Sequence, residues 1–205
     1  MKKSVSPTRS KHTIFKQLCE HIPAYLVERL ARKHKIQTRG FNEWSHVVAL
    51  IYAQFTHALG LNDVCDALKN HCGKLVSLRG AVAPSRNGLS HANRTRPALM
   101  AEDLFWTMLR HLQTQVPGFG GWKYLGFPRR FKRAIRVVDS TTISLVANCI
   151  DWARHSRRKA AAKMHLRLDL QSFLPHFAIV DTAKHNDALR ARELCADLQN
   201  GEIVV

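Results

Sequence analysis

Residues 134–145, Ala134-Ile135-Arg136-Val137-Val138-Asp139-Ser140-Thr141-Thr142-Ile143-Ser144-Leu145, set one carboxylate inside a β-branched, mostly apolar run. Such a run reads as a buried strand. A second run, Gly201-Glu202-Ile203-Val204-Val205, begins another strand, and a second carboxylate is expected just beyond it. Carboxylates brought together from two strands are hard oxygen ligands that suit Mg²⁺. Two such ions about 4 Å apart activate the attacking oxygen and stabilise the leaving oxygen of a phosphodiester. The alternative for Asp139 is a plain turn cap after a strand.

Other chemistry-bearing residues are weaker candidates. Asp169 stands two positions from Arg167 and reads as structural or solvated. Asp181 ends a strand, Asp187 opens a helix where an acid is favourable, and Asp151 falls in a loop. His185 reads as a group supporting the site or as a surface residue. The cysteines, Cys19, Cys65, Cys72, Cys149 and Cys195, form no Cys-x-x-Cys pair, which suits reduced thiols. The 12 histidines never fall four apart, so helical zinc spacing is absent.

The elements that must hold these residues change character along the chain. The first half has helical periodicity. Phe15, Leu18, Ile22, Leu26 and Leu30 recur at threes and fours, interrupted by Pro23. Asn42 is expected to cap a helix whose stripe is Trp44, Val48, Ile51, Phe55 and Leu59, closed by Gly60. Asn62 or Asp63 caps the next helix. Residues 73–84 are rich in turn formers and read as a loop. After Pro97 another helix carries Leu104, Phe105, Met108, Leu109 and Leu112 inward. Pro117-Gly118-Phe119-Gly120-Gly121-Trp122 marks a boundary.

The second half shifts towards a period of two. Residues 163–170 alternate strictly, with Met164, Leu166, Leu168 and Leu170 expected inward and His165, Arg167 and Asp169 outward. Residues 177–181 form the next strand. A helix over 187–198 with Leu189, Leu194, Ala196 and Leu198 partly inward follows, and then the strand at Ile203. The predicted architecture is α+β: a helical domain over 1–116, a Gly/basic linker over 117–133, and a strand-rich domain over 134–205 that runs strand, strand, strand, helix, strand.

Charge narrows the partners. Lys and Arg number 32 against 15 Asp and Glu, a formal net charge of +17. Such a field draws a polyanion, most simply nucleic acid. Both halves are basic, so no single tail accounts for it. Arg86 and Arg94 lie in a Ser/Asn-rich stretch of the kind that contacts phosphates. Arg129, Arg130 and Arg133 interleave with aromatics in the linker. Arg154, Arg157, Arg158, Lys159 and Lys163 cluster near the expected active face. No apolar run approaches the roughly 18 residues of a membrane span, and the N-terminus lacks a secretory h-region. The expected location is cytoplasmic.

Three stretches carry a family likeness. Val137-Val138-Asp139-Ser140-Thr141 resembles the first-aspartate motif of bacterial insertion-sequence transposases of the DDE class. Residues 159–170 and 178–187 resemble the strands that follow it, and the N-terminal helices are similar to the domain that precedes the core in one cut-and-paste branch. The resemblance implies a ribonuclease-H-like core, here its first part, with three antiparallel strands, a helix and the start of a fourth strand. It implies that Asp139 is the first catalytic, Mg²⁺-binding aspartate. It implies that a full-length relative would bind terminal inverted repeats in double-stranded DNA, cleave the strand and transfer it, acting as a homodimer. The second aspartate and the glutamate fall beyond Val205, so this chain is expected to be a truncated N-terminal fragment that binds DNA without cutting it. The alternative is a non-catalytic DNA-binding module or transposition repressor acting at element ends.

Overall fold

The computed structural model describes residues 13–58, 60–116, 119, 133–145, 154–156, 159–182 and 187–205. Arg129, Arg130, Arg157 and Arg158 lie outside these residues, as do Leu59, Asp151, His185 and most of the linker segment. The architecture is mixed α+β, with helices first and strands after. The chain divides into two compact units, residues 1–111 and 112–205.

Among the described residues seven helices precede the strands: α1 (Ile14–Glu20), α2 (Ala24–Lys33), α3 (Glu43–Thr56), α4 (Leu61–Asn70), α5 (Cys72–Val76), α6 (Arg86–Thr95) and α7 (Ala98–Gln115). Hydroxyl and amide caps start several of them. Thr13 accepts from the Lys16 N–H at 3.1 Å, Asn42 from Ser45 at 2.7 Å, and Ser85 from Gly88 at 3.1 Å. Each cap satisfies an N–H that the first helical turn leaves without a partner. Helix α3 is shared by two apolar clusters. Val48 and Ala49 pack with Cys19, Val64, Leu68 and Leu75, whereas Val47 packs with Leu26, Leu30 and Met100.

Three local expectations are corrected here. Helix α3 stops at Thr56, because His57 takes the left-handed conformation (φ 50°) that ends it. Gly60 is instead the cap of α4, and Asp63 accepts its N–H at 3.0 Å. The expected stripe therefore fails at Phe55, which is 60% exposed. Residues 73–84 are not simply a loop: they include most of α5 and bury Leu75, Leu78 and Ala81.

The second unit is built on a sheet. Strand β1 (Ile135–Leu145) pairs antiparallel with β3 (Lys159–Asp169), and β3 pairs antiparallel with β4 (Pro175–Thr182). The short β2 (Arg154–Ser156) pairs with the start of β3, sharing the edge used farther along by β4. Helix α8 (Asp187–Leu194) follows β4, and Gly201 (φ 95°) turns the chain into β5 (Ile203–Val204). Strand β5 runs parallel to β1, so the sheet path is β2-β3-β1-β5 with β4 also on β3.

The alternation of β3 is as expected, but the burial of its faces is not. His165 and Arg167 are among the most enclosed residues of the unit, at 2% and 4% exposure, while Leu166 and Leu168 are only half-buried. Leu194 of α8 is fully enclosed, and its carbonyl accepts from Arg167 at 2.6 Å. A two-residue period separates the faces of a strand without saying which one a helix will cover. Leu189 is also corrected: it is 55% exposed, leaving Leu194 as the anchor of α8.

Candidate functional site

Asp139 lies mid-strand on β1, opposite Leu166 in the antiparallel register. Paired residues share a face, so Asp139 stands with Val137, Leu166 and Leu168. The alternate face carries Arg136, His165, Arg167 and Asp169, and it is the face that α8 meets. The Asp139 carboxylate is exposed, and its Oδ1 accepts from the adjacent Ser140 N–H at 2.7 Å.

The unit's other described acid side chains are spent on arginines. Arg136 donates to Asp169 at 2.6 Å and to Glu202 at 2.7 Å. Arg190 donates to Asp181 at 2.7 Å and to Glu193 at 2.6 Å. Arg167 forms a forked pair with Asp197, one arm of which is 2.9 Å. That guanidinium holds the Asp197 carboxyl down at about 2, below the usual carboxylate range. The Gln199 N–H and then Arg136 lower Glu202 in the same direction. Among the described side chains of this unit, Asp139 is the carboxylate left without an arginine.

Asp139 supplies a single carboxylate, and among the described residues no group of three or more His, Cys, Asp or Glu could hold a metal. No step of a mechanism through Mg²⁺ therefore follows from these residues. The parallel register does show where β5 points. Ile203 lies level with Ile135 and Val204 with Arg136, and Val138 donates to the Val205 carbonyl at 2.9 Å. The strand advances along β1 towards the level of Asp139.

The predicted phosphate contacts scatter. Arg86 and Arg94 are exposed on α6, and Arg133 is exposed just before β1. Arg154 and Lys159 belong to the β2-β3 pairing. Lys163 is half-buried and lies level with Asp181, on the face away from Asp139. It is thus not brought to Asp139 as the sequence suggested, because the strand's alternation sends it to the other side.

The helical unit holds features that periodicity does not disclose. Arg79 donates to the Ile22 carbonyl at 2.7 Å and the Glu20 carbonyl at 3.1 Å, closing the end of α1. Its guanidinium also lies 4.9 Å from the centre of the Trp44 ring. Arg96 donates to the carbonyls of Phe41 and Asn42, and burial pulls its pKa down. His46 bonds Asn93 at 2.8 Å, and burial lowers it, favouring the neutral ring. Between residues 34–41 and α6 lies a cleft of about 510 Å³, lined in part by Lys35, Arg39, His91 and Arg96 and by no carboxylate. The sequence signals for it were slight: two cations after a helix end, with a turn glycine at Gly40.

A family model described as a domain of unknown function (DUF4372) matches residues 10–79. This domain is found in transposase-like proteins. The match covers α1 to α5, and the strands lie outside it. No curated protein and no solved structure matches the chain. No described helix is long and apolar enough to cross a membrane.

Proposed function

We propose that the chain belongs to a DDE-class transposase with a ribonuclease-H-like core, and that it binds duplex DNA at element ends. The observation that carries this reading is the sheet. Three antiparallel strands, a helix and a parallel strand on β1 place Asp139 mid-strand and direct β5 towards its level. In that core a carboxylate following β5 would come beside Asp139, and a longer chain would supply it. The match of residues 10–79 to a domain found in transposase-like proteins supports the same reading from the other unit.

The net charge of +17 supports a DNA partner. The test is a salt titration of binding to the element's end duplex and to a scrambled duplex. Tenfold or greater preference for the end, about 1.4 kcal/mol, supports recognition. Equal binding to both overturns the reading of a sequence-specific chain.

A further inference from the structure

The cationic cleft of the helical unit has a construction that charge alone does not require. Its two walls are the segment after α2 and one face of α6, where Gly88, His91 and Thr95 recur at helical spacing. Arg96 braces the walls by donating to the Phe41 and Asn42 carbonyls, so its guanidinium is already occupied. Lys35 and Arg39 differ: both are exposed, and neither forms an ion pair among the described residues. Lys35 also sits at φ 53°, directly after the His34 cap, with the Ile36 N–H returning to the Ala31 carbonyl at 2.9 Å. That is the position where glycine ends a helix without strain. A lysine held there keeps a cation at the cleft at the expense of an unfavourable backbone.

We infer that this cleft takes the phosphate backbone of duplex DNA, with Lys35 and Arg39 as the phosphate-contacting cations. The inference rests on the DNA-binding reading above and names where the helical unit makes that contact. Arg86 and Arg94, the contacts suggested by composition, lie on α6 outside this lining. Phosphate contacts fix a protein on the duplex without reading bases. Their loss should therefore weaken end and scrambled duplex alike.

The test uses the full chain with Lys35→Gly and Arg39→Gln combined. Glycine relieves the left-handed residue, so the variant should melt at or above the wild-type temperature, which separates lost binding from lost folding. The control, Lys69→Gln with Lys74→Gln, removes the same charge from α4 and α5. At 0.15 M salt the cleft variant should lose about tenfold or more in affinity for both duplexes. Its log-log salt slope should flatten by about 1.8, two phosphates at roughly 0.9 each. The control should stay within about threefold of wild type. If wild type binds duplex and the cleft variant matches the control, the cleft assignment is overturned while DNA binding stands. If wild type binds no duplex, the functional reading falls and the assignment with it. Preference of the wild-type cleft for single-stranded RNA over duplex would also overturn it.

Discussion

Two arginines of the helical unit and three of the sheet unit are used in opposite ways. In the helical unit, Arg79 and Arg96 donate to main-chain carbonyls: Ile22 and Glu20 for one, Phe41 and Asn42 for the other. In the sheet unit, Arg136, Arg167 and Arg190 pair chiefly with carboxylates. Both arrangements satisfy buried polar groups, but their electrostatic results differ. A guanidinium on a carbonyl keeps its full positive charge, and the helical unit stays a cationic body. A guanidinium on a carboxylate is neutralised locally, so the acids at Asp169, Asp181, Glu193, Asp197 and Glu202 are compensated while Asp139 is left without an arginine. The uncompensated carboxylate of the sheet unit thus stands out because its neighbouring acids are paired, not because the unit lacks cations.

That contrast can be broken by removing one arginine from each side. Arg79→Ala should have the largest effect, because it strips donors from two carbonyls and removes the cation over Trp44. The expected loss is about 2–3 kcal/mol, read by urea unfolding followed through tryptophan emission. Arg167→Met should cost less, about 1–2 kcal/mol. Methionine refills the buried volume, and exposed Asp197 returns to water. An equal or greater loss for Arg167→Met, read by thermal unfolding, would break the comparison.

A smaller effect concerns pH. Asp197 has a folded pKa of about 2, depressed from an ordinary value near 3.8. A depressed carboxylate contributes stability that is present above the unfolded value and lost as pH falls towards the folded one. The melting temperature should therefore drop between about pH 4 and pH 2, and Asp197→Asn should flatten part of that fall. The part is modest, since the Asp197 side chain is 67% exposed and solvent screens the pair. The smallest effect is expected for Asp139→Asn. With no arginine to strand, it should leave stability within about 0.5 kcal/mol, checked by the same melts. A large loss would mean that Asp139 is structural.

Much of this division was legible in the residues. Asn42 caps its helix as its amide and the following apolar period suggest, and β1, β3, β4, α8 and β5 appear in the expected order. What failed did so for physical reasons. Gly60 predicts a helix stop because glycine favours that place, but His57 takes the left-handed turn three residues earlier. The polar side of β3 was read as outward because isolated charges avoid burial. Arg167 escapes that rule because Asp197, 30 positions away, and the Leu194 carbonyl compensate it. Partners so distant leave no periodic trace. The cleft was illegible for the same reason, as its walls come from residues 34–41 and α6.

Arg136 carries a consequence for the chain as it emerges during synthesis. Its two carboxylate partners lie 33 and 66 positions downstream, at Asp169 and Glu202. The meander of β1, β3 and β4 closes over shorter loops than β5 does, and shorter closures come first. Asp169 is then an interim counter-ion that holds Arg136 on a three-stranded platform. Glu202 arrives afterwards as the latch that recruits β5 to the free side of β1. The order of translation thereby becomes an order of neutralisation, and delayed protection of the Val205 amide relative to Leu168 in pulsed hydrogen exchange would record it.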